Sequence, residues 1–174
     1  LADSGAVGPT GLWEARVTTQ IVRNVVARLG MSAEVFAYAK RQPGAKALPR
    51  LIEMVNASLP EIFLAVHCNA SSNPHAQGAQ VYYPRWPLPG SARSKSLAGI
   101  LLSRLPNNAT PWSRVLPASF YVLRKVRALA RVLVEVDFIS NPQVEQVMRS
   151  AVWLDDVAGR LAEGLAAFLI TNWR

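Results

Sequence analysis

Two runs of almost unbroken apolar residues, 62–66 (IFLAV) and 130–136 (ARVLVEV), constrain the fold of this chain more than any other feature. A strand with one wet face alternates apolar and polar residues, whereas a strand covered on both faces does not. Each run fits a strand buried within a sheet and falls far short of the roughly 20 apolar residues that span a bilayer. The chain must therefore supply helices to cover both faces of that sheet.

Helical patterns stand where such layers need them. From Trp13, residues Val17, Ile21, Val22, Val25, Val26 and Leu29 recur at helical spacing up to a stop at Gly30. Leu48, Leu51, Ile52, Val55 and Leu59 share a face before Pro60, and Leu97, Ile100, Leu101, Leu102 and Leu105 mark a helix over 91–105. The tail from Trp153 to Trp173 reads as a long amphipathic helix through Leu154, Val157, Leu161, Leu165, Phe168 and Leu169. Further strands are predicted at 34–38, 80–83 and 119–123, with loops over 1–12 and 107–117. This alternation predicts an α/β fold of three layers, a mostly parallel twisted sheet flanked by helices on both faces.

At 174 residues, 51% hydrophobic and 17% charged, the chain suits one compact domain, and neither a repeat nor an interdomain linker divides it. Cys68 is its one cysteine, so an intramolecular disulfide is excluded and the redox compartment stays open. Nineteen Lys and Arg against eleven Asp and Glu give a net charge of +8, which favours a polyanionic partner: nucleic acid, an anionic lipid surface or an acidic wall polymer. Residues such as Arg16, Arg23, Arg28, Arg41, Arg50, Arg93, Arg104 and Arg149 lie singly among apolar residues, without the basic and aromatic blocks of a nucleic-acid interface. An ordinary solvated basic surface accounts for the charge equally well.

Ionisable groups interrupt the buried runs. His67 closes the first and Glu135 sits inside the second, positions where an unpaired charge costs several kcal/mol or more. A core histidine and a buried Glu–Arg pair are the structural explanations. Glu14, in the first turn of the first helix, is favoured there by the helix dipole alone. Taken together the three suggest a hydrolytic zinc site, in which nitrogen and oxygen ligands leave a position for water and a nearby carboxylate accepts its proton.

Five segments carry a resemblance: residues 5–14 (GAVGPTGLWE), 65–70 (AVHCNA), 78–83 (GAQVYY), 120–124 (FYVLR) and 132–142 (VLVEVDFISNP). In this order they resemble the zinc-dependent N-acetylmuramoyl-L-alanine amidases of type 3, over nearly the whole chain. The resemblance implies one amidase catalytic domain over 1–174 that hydrolyses the amide between N-acetylmuramic acid and L-alanine in peptidoglycan. It implies Zn²⁺ as cofactor, Glu14 and His67 as two metal ligands and Glu135 as the catalytic glutamate. It also implies a monomer in the periplasm or outside the cell, peptidoglycan as partner with room for a regulatory activator protein, and neither nucleic-acid binding nor a membrane span.

The family's first zinc ligand is a histidine in a turn after its first strand, and the expectation is that this histidine and strand lie just upstream of Leu1. His75, eight residues after His67, is the substitute to weigh if they do not. Asp137 stands where the family usually has glycine, placed either to raise or orient Glu135 or to face solvent. Tyr82, Tyr83, Trp86 and Trp112 are candidates for a glycan groove or for plain packing. Residues 84–117 are too few for the long inhibitory helix some relatives insert, which leaves the site open. The rival reading is a non-catalytic peptidoglycan-binding module with a degenerate metal site; a basic nucleic-acid-binding protein is a third.

Overall fold

The structure, a computed structural model, describes residues 5–30, 47–85 and 87–172. Its helices and strands run, in order, α1 (Glu14–Leu29), α2 (Ala47–Ser58), β1 (Ile62–Asn69), β2 (Gln80–Pro84), α3 (Ser91–Arg104), β3 (Arg114–Ala118), α4 (Tyr121–Lys125), β4 (Ala130–Phe138), α5 (Pro142–Met148) and α6 (Ala151–Asn172). The strand expected at 34–38 and the side chains of Trp86 and Trp173 lie outside the described residues.

The four strands form one sheet in the order β1-β4-β2-β3. β1 pairs with β4 and β2 with β3 in parallel, while β2 and β4 run antiparallel. The sheet is thus mixed, with two parallel pairings of three, and the α/β expectation holds. β4 lies between β1 and β2, which explains why its sequence barely alternates: both faces are covered. Val132, Val134 and Val136 join the main core with Val17, Ile21 and Val25 of α1, Leu97 and Leu101 of α3, and Leu161, Leu165 and Phe168 of α6. On the opposite face Leu133 packs with Ala118 and with Leu123 of α4. α2 packs against α4 on that side, completing the third layer.

Two local readings are corrected. The strand expected at 119–123 lies five residues earlier, at Arg114–Ala118, and Tyr121–Lys125 is a short helix. Pro117 made 107–117 read as loop, but β3 is an edge strand, and at an edge the missing amide of proline leaves no ladder bond unmade. Leu123, which looks strand-like in sequence, instead caps Leu133 from α4. The short helix α5 also went unread; Asn141 starts it by accepting hydrogen bonds from the amides of Gln143 (2.9 Å) and Val144 (3.3 Å) with Pro142 in the first turn.

The core predicts its own test. Leu161 is fully buried at the meeting of α6 with α1 and α3, whereas Val152 at the start of α6 is 80% exposed. Leu161→Ala is expected to lower unfolding free energy by about 2–5 kcal/mol in urea titration. Val152→Ala should stay within about 0.5 kcal/mol of the parent.

Candidate active site

Strand alternation and register build the site. Along β4, Arg131, Leu133, Glu135 and Asp137 face away from the main core, because the valines between them face it. β1 is in phase, with Leu64, Val66 and Cys68 toward the main core and Ala65 and His67 toward the other side. The ladder sets His67 beside Glu135 in parallel pairing and Gln80 beside Glu135 in antiparallel pairing. One row across three strands therefore reads His67, Glu135, Gln80. A bulge after His67 interrupts the β1–β4 ladder, so that Asn69 pairs with Phe138.

Glu14, the first residue of α1, comes to this row from the side. Its Oε1 lies 2.8 Å from Nδ1 of His67 and accepts from the Cys68 amide at 3.3 Å, while its Oε2 accepts from the Ala6 amide at 2.7 Å. Burial pushes the Glu14 carboxyl up, but these bonds and the charge of a protonated His67 outweigh it and leave the group below the ordinary carboxylate range. The imidazole of His67 is 45% exposed against 13% for Glu14, so the pair opens to solvent through the histidine.

Glu135 is the opposite case. Its carboxyl is pushed up to about 7, first by burial and further by the negative charge of Glu14, against the pull of His67. Its Oε2 is buried with no hydrogen-bond partner among the described residues. Native proteins seldom leave such an atom idle, and a carboxyl that gains and loses a proton near neutrality is what general base catalysis needs.

The Glu14–His67 pair matches the donor chemistry of a hydrolytic zinc site in type: one imidazole nitrogen and one carboxylate oxygen, with the second carboxylate oxygen fixed by an amide. In number they are two. Among the described residues no three His, Cys, Asp or Glu side chains converge, and His75, whose amide bonds Asn73 in a polar turn, does not join Glu14 and His67. Cys68 faces the main core, and burial first, then the nearby carboxylates, push its thiol well up, so it is no thiolate ligand.

Asp137 neither faces solvent nor acts on Glu135. It is buried and accepts from the amides of Gly78 (2.7 Å) and Phe138 (2.8 Å) and from Nδ2 of Asn107 (2.8 Å), tying the entry of β2 to the loop after α3. Tyr82 shares the Glu135 face: its hydroxyl donates to Oε1 of Gln80 at 2.7 Å and its ring meets Phe120 edge-on at 5.1 Å. Tyr83 packs toward the main core, and Trp112 meets Phe138 edge-on at 5.8 Å.

The sequence reading missed two residues. Gln80 is the hub beside Glu135, accepting from Asn69 Nδ2 (3.0 Å) and Tyr82 and donating to the Trp112 carbonyl (3.0 Å). A polar side chain opening an apolar strand was its only signal. Glu145 on α5 had none, being one acid in a polar stretch. It is buried, and its oxygens accept from the amides of Thr10 (2.8 Å) and Leu12 (2.9 Å) and from Arg149 (3.1 Å). It thereby grips the Gly-rich segment whose other end presents Ala6 to Glu14. Glycine is required at both ends: a Cβ on Gly5, at φ +66°, would stand 2.3 Å from Glu14 Oε2, and one on Gly8 2.5 Å from Glu145 Cδ.

An open-faced polar row on a layered α/β sheet, with a buried carboxyl near neutral pKa beside an imidazole–carboxylate pair, offers the groups that hydrolase sites use. The sequence profile of the N-acetylmuramoyl-L-alanine amidases matches residues 2–167, and the chain belongs to that family of hydrolytic enzymes. The amidase LytC of Bacillus subtilis is 29% identical over 95% of this chain, which spans 33% of that relative's length. Among solved structures, the amidase AmiC2 of Nostoc punctiforme shares 25% identity at a TM-score of 0.79, over 97% of this chain and 91% of the other. The CwlD amidase of Clostridioides difficile, solved in complex with the GerS lipoprotein, shares the fold at a TM-score of 0.82 and 20% identity, over 98% and 93%. The family and fold expectations are borne out.

The grip of Glu145 is measurable. Burial works against its charge, but the Leu12 and Thr10 amides, the Thr10 hydroxyl and Arg149 prevail and hold its carboxyl below the ordinary range. A carboxyl lowered on folding stabilises above its unfolded pKa and loses that contribution as pH falls through the folded one. Glu145→Gln should therefore unfold more easily at neutral pH, by about 1–3 kcal/mol for each amide left without an acceptor, and show a flatter loss of stability on acidification than the parent. Parallel pH profiles for the two proteins in urea would contradict this role.

Proposed function

We propose that this chain hydrolyses the amide between N-acetylmuramic acid and L-alanine in peptidoglycan as a zinc enzyme of the cell envelope, in the periplasm or outside the cell. The observation that carries the proposal is the row itself: the buried, unpartnered Oε2 of Glu135 next to the Glu14–His67 pair. Family membership supplies the substrate class. Glu14 and His67 would hold the zinc as two of its ligands, within one catalytic domain that takes in residues 1–174. When bound, the metal supplies Lewis-acid polarisation of the scissile carbonyl and of water.

The remaining chemistry belongs to this chain. Glu135 Oε2 takes a proton from the attacking water and passes it to the leaving amine of L-alanine, a task matched by a pKa near 7. The Ala6 amide fixes one oxygen of Glu14 so that the other turns to His67. Gln80, held by Asn69 and Tyr82, forms the far wall of the row beside Glu135. The net charge of +8 suits an acidic wall polymer. None of the described helices is long and apolar enough to cross a membrane. By analogy with the GerS complex of the CwlD amidase, a protein activator is a further candidate partner, the amidase chain itself acting as a monomer.

Glu135→Gln is expected to lower kcat on purified peptidoglycan by about 10²–10⁴-fold while zinc content and sacculus binding stay near those of the parent, because a base acts on water and does not hold the metal. Released amino termini and bound zinc, measured on the zinc-loaded protein, check it. Near-normal turnover would overturn the assignment, loss of zinc would make Glu135 a ligand, and binding of sacculi without hydrolysis by the parent would favour the binding-module reading.

A further inference from the structure

The face of β4 that carries Glu135 also carries Arg131, four residues earlier and about 13 Å away along the strand. Leu133, capped by Leu123 of α4, stands between them and divides the face into two compartments. The second compartment is a cleft of about 610 Å³ with Arg131 at its base, the segment leading into α3 along one side and the segment following α4 along the other. Five of its eleven lining residues are cationic, Arg93, Arg124, Lys125, Arg127 and Arg131, and none is acidic.

Arg131 is only 5% exposed. It donates to the carbonyl of Val126 at 2.6 Å and to that of Pro89, one on each side of the cleft, and its Nε has no partner. Those carbonyls solvate the guanidinium without neutralising it, and burial works against its charged form. Around it, the side chains of Arg93, Arg124, Lys125 and Arg127 form no ion pair among the described residues, although the chain pairs Arg28, Arg149 and Arg160 elsewhere. α3 begins at the same cleft with Gly90 as its cap, so no side chain covers the positive end of its dipole. Like charges gathered over a buried, uncompensated cation repel one another, and the repulsion becomes attraction once an anion enters.

We propose that this cleft is a binding site for phosphate groups, distinct from the hydrolytic row. A tetrahedral phosphate offers three or more acceptor oxygens to donors arriving from several sides, as the three exposed arginine forks, the lysine and the helix end do here. A carboxylate offers two oxygens in one plane and would leave most of these donors unmatched. The carrier can be a lipid that ends in a phosphate monoester or a non-lipid terminal phosphate; the recognised chemistry, three or more acceptor oxygens on one group, is the same.

The experiment uses sodium pyrophosphate as probe, with calorimetry at constant ionic strength, on the parent, on Arg124→Ser/Arg127→Ser, and on a charge-matched control, Arg23→Ser/Arg50→Ser. Thermal melting of each protein reports folding, and Arg131 is left intact because its removal empties a buried position. The parent and the control should bind alike, and the cleft variant should lose at least about tenfold in affinity. Vesicles of phosphatidic acid, whose headgroup is a terminal phosphate monoester, in phosphatidylcholine then identify the source: binding with the same loss in the cleft variant assigns a lipid phosphate, and pyrophosphate binding without vesicle binding assigns a non-lipid phosphate. No pyrophosphate binding by the parent, or equal affinities in parent and cleft variant, or equal loss in control and cleft variant, would overturn the proposal. Hydrolysis of peptidoglycan is not read in any arm, so this outcome and that of the Glu135 variant are independent.

Discussion

The parallel pairing of β1 with β4 is the constraint on which the rest of this molecule depends. With β4 covered on both faces, its alternation is fixed by packing: three valines enter the core under α1, α3 and α6, and the residues between them must face the other way. Register then leaves no freedom in the site, because the same ladder that buries Val66 beside Val134 sets His67 beside Glu135. A slip of β1 by one residue would turn His67 into the hydrocarbon of the main core and away from Glu135. The hydrophobic effect that stabilises the sheet thus also holds the row of His67, Glu135 and Gln80 in place.

A second structure, made of loop, completes the row. Residues 5–13 fold back through a bridge between Val7 and Trp13, and two carboxylates hold the ends of this segment: Glu14 takes the Ala6 amide and Glu145 takes those of Thr10 and Leu12. The two acids differ from Glu135 in a way that follows from their partners. Each accepts several donors and is held below the ordinary carboxylate range, whereas Glu135 meets no donor at Oε2 and rises to about 7. One site therefore contains carboxylates suited to stay charged and one suited to exchange a proton.

What the sequence revealed follows the physics of each position. His67 and Glu135 were legible because an ionisable residue inside an apolar strand is costly and therefore conspicuous, and the strands bearing them were legible because burial on both faces suppresses alternation. Glu14 needed the family resemblance, since a helix dipole explains an acid in a first turn equally well. β3 and α4 were misplaced because Pro117 carries opposite meanings in a loop and at a sheet edge, and only the strand order tells them apart. Glu145 was invisible: the amides it holds lie more than 130 residues away, and no local pattern announces a contact of that range. Asp137 shows the same limit, its role as a buried acceptor depending on where Gly78 and Asn107 arrive.

The ligand assignment is tested most directly by locating zinc in a crystal of the zinc-loaded protein, using anomalous scattering at the zinc edge. The expected result is a single strong peak at bonding distance, about 2.0–2.2 Å, from a nitrogen of His67 and an oxygen of Glu14, with the Glu135 carboxyl nearby but not bonded to it. A peak elsewhere, or zinc bonded by Glu135 with Glu14 turned away, would contradict the assignment of ligands and base on which the proposed chemistry rests.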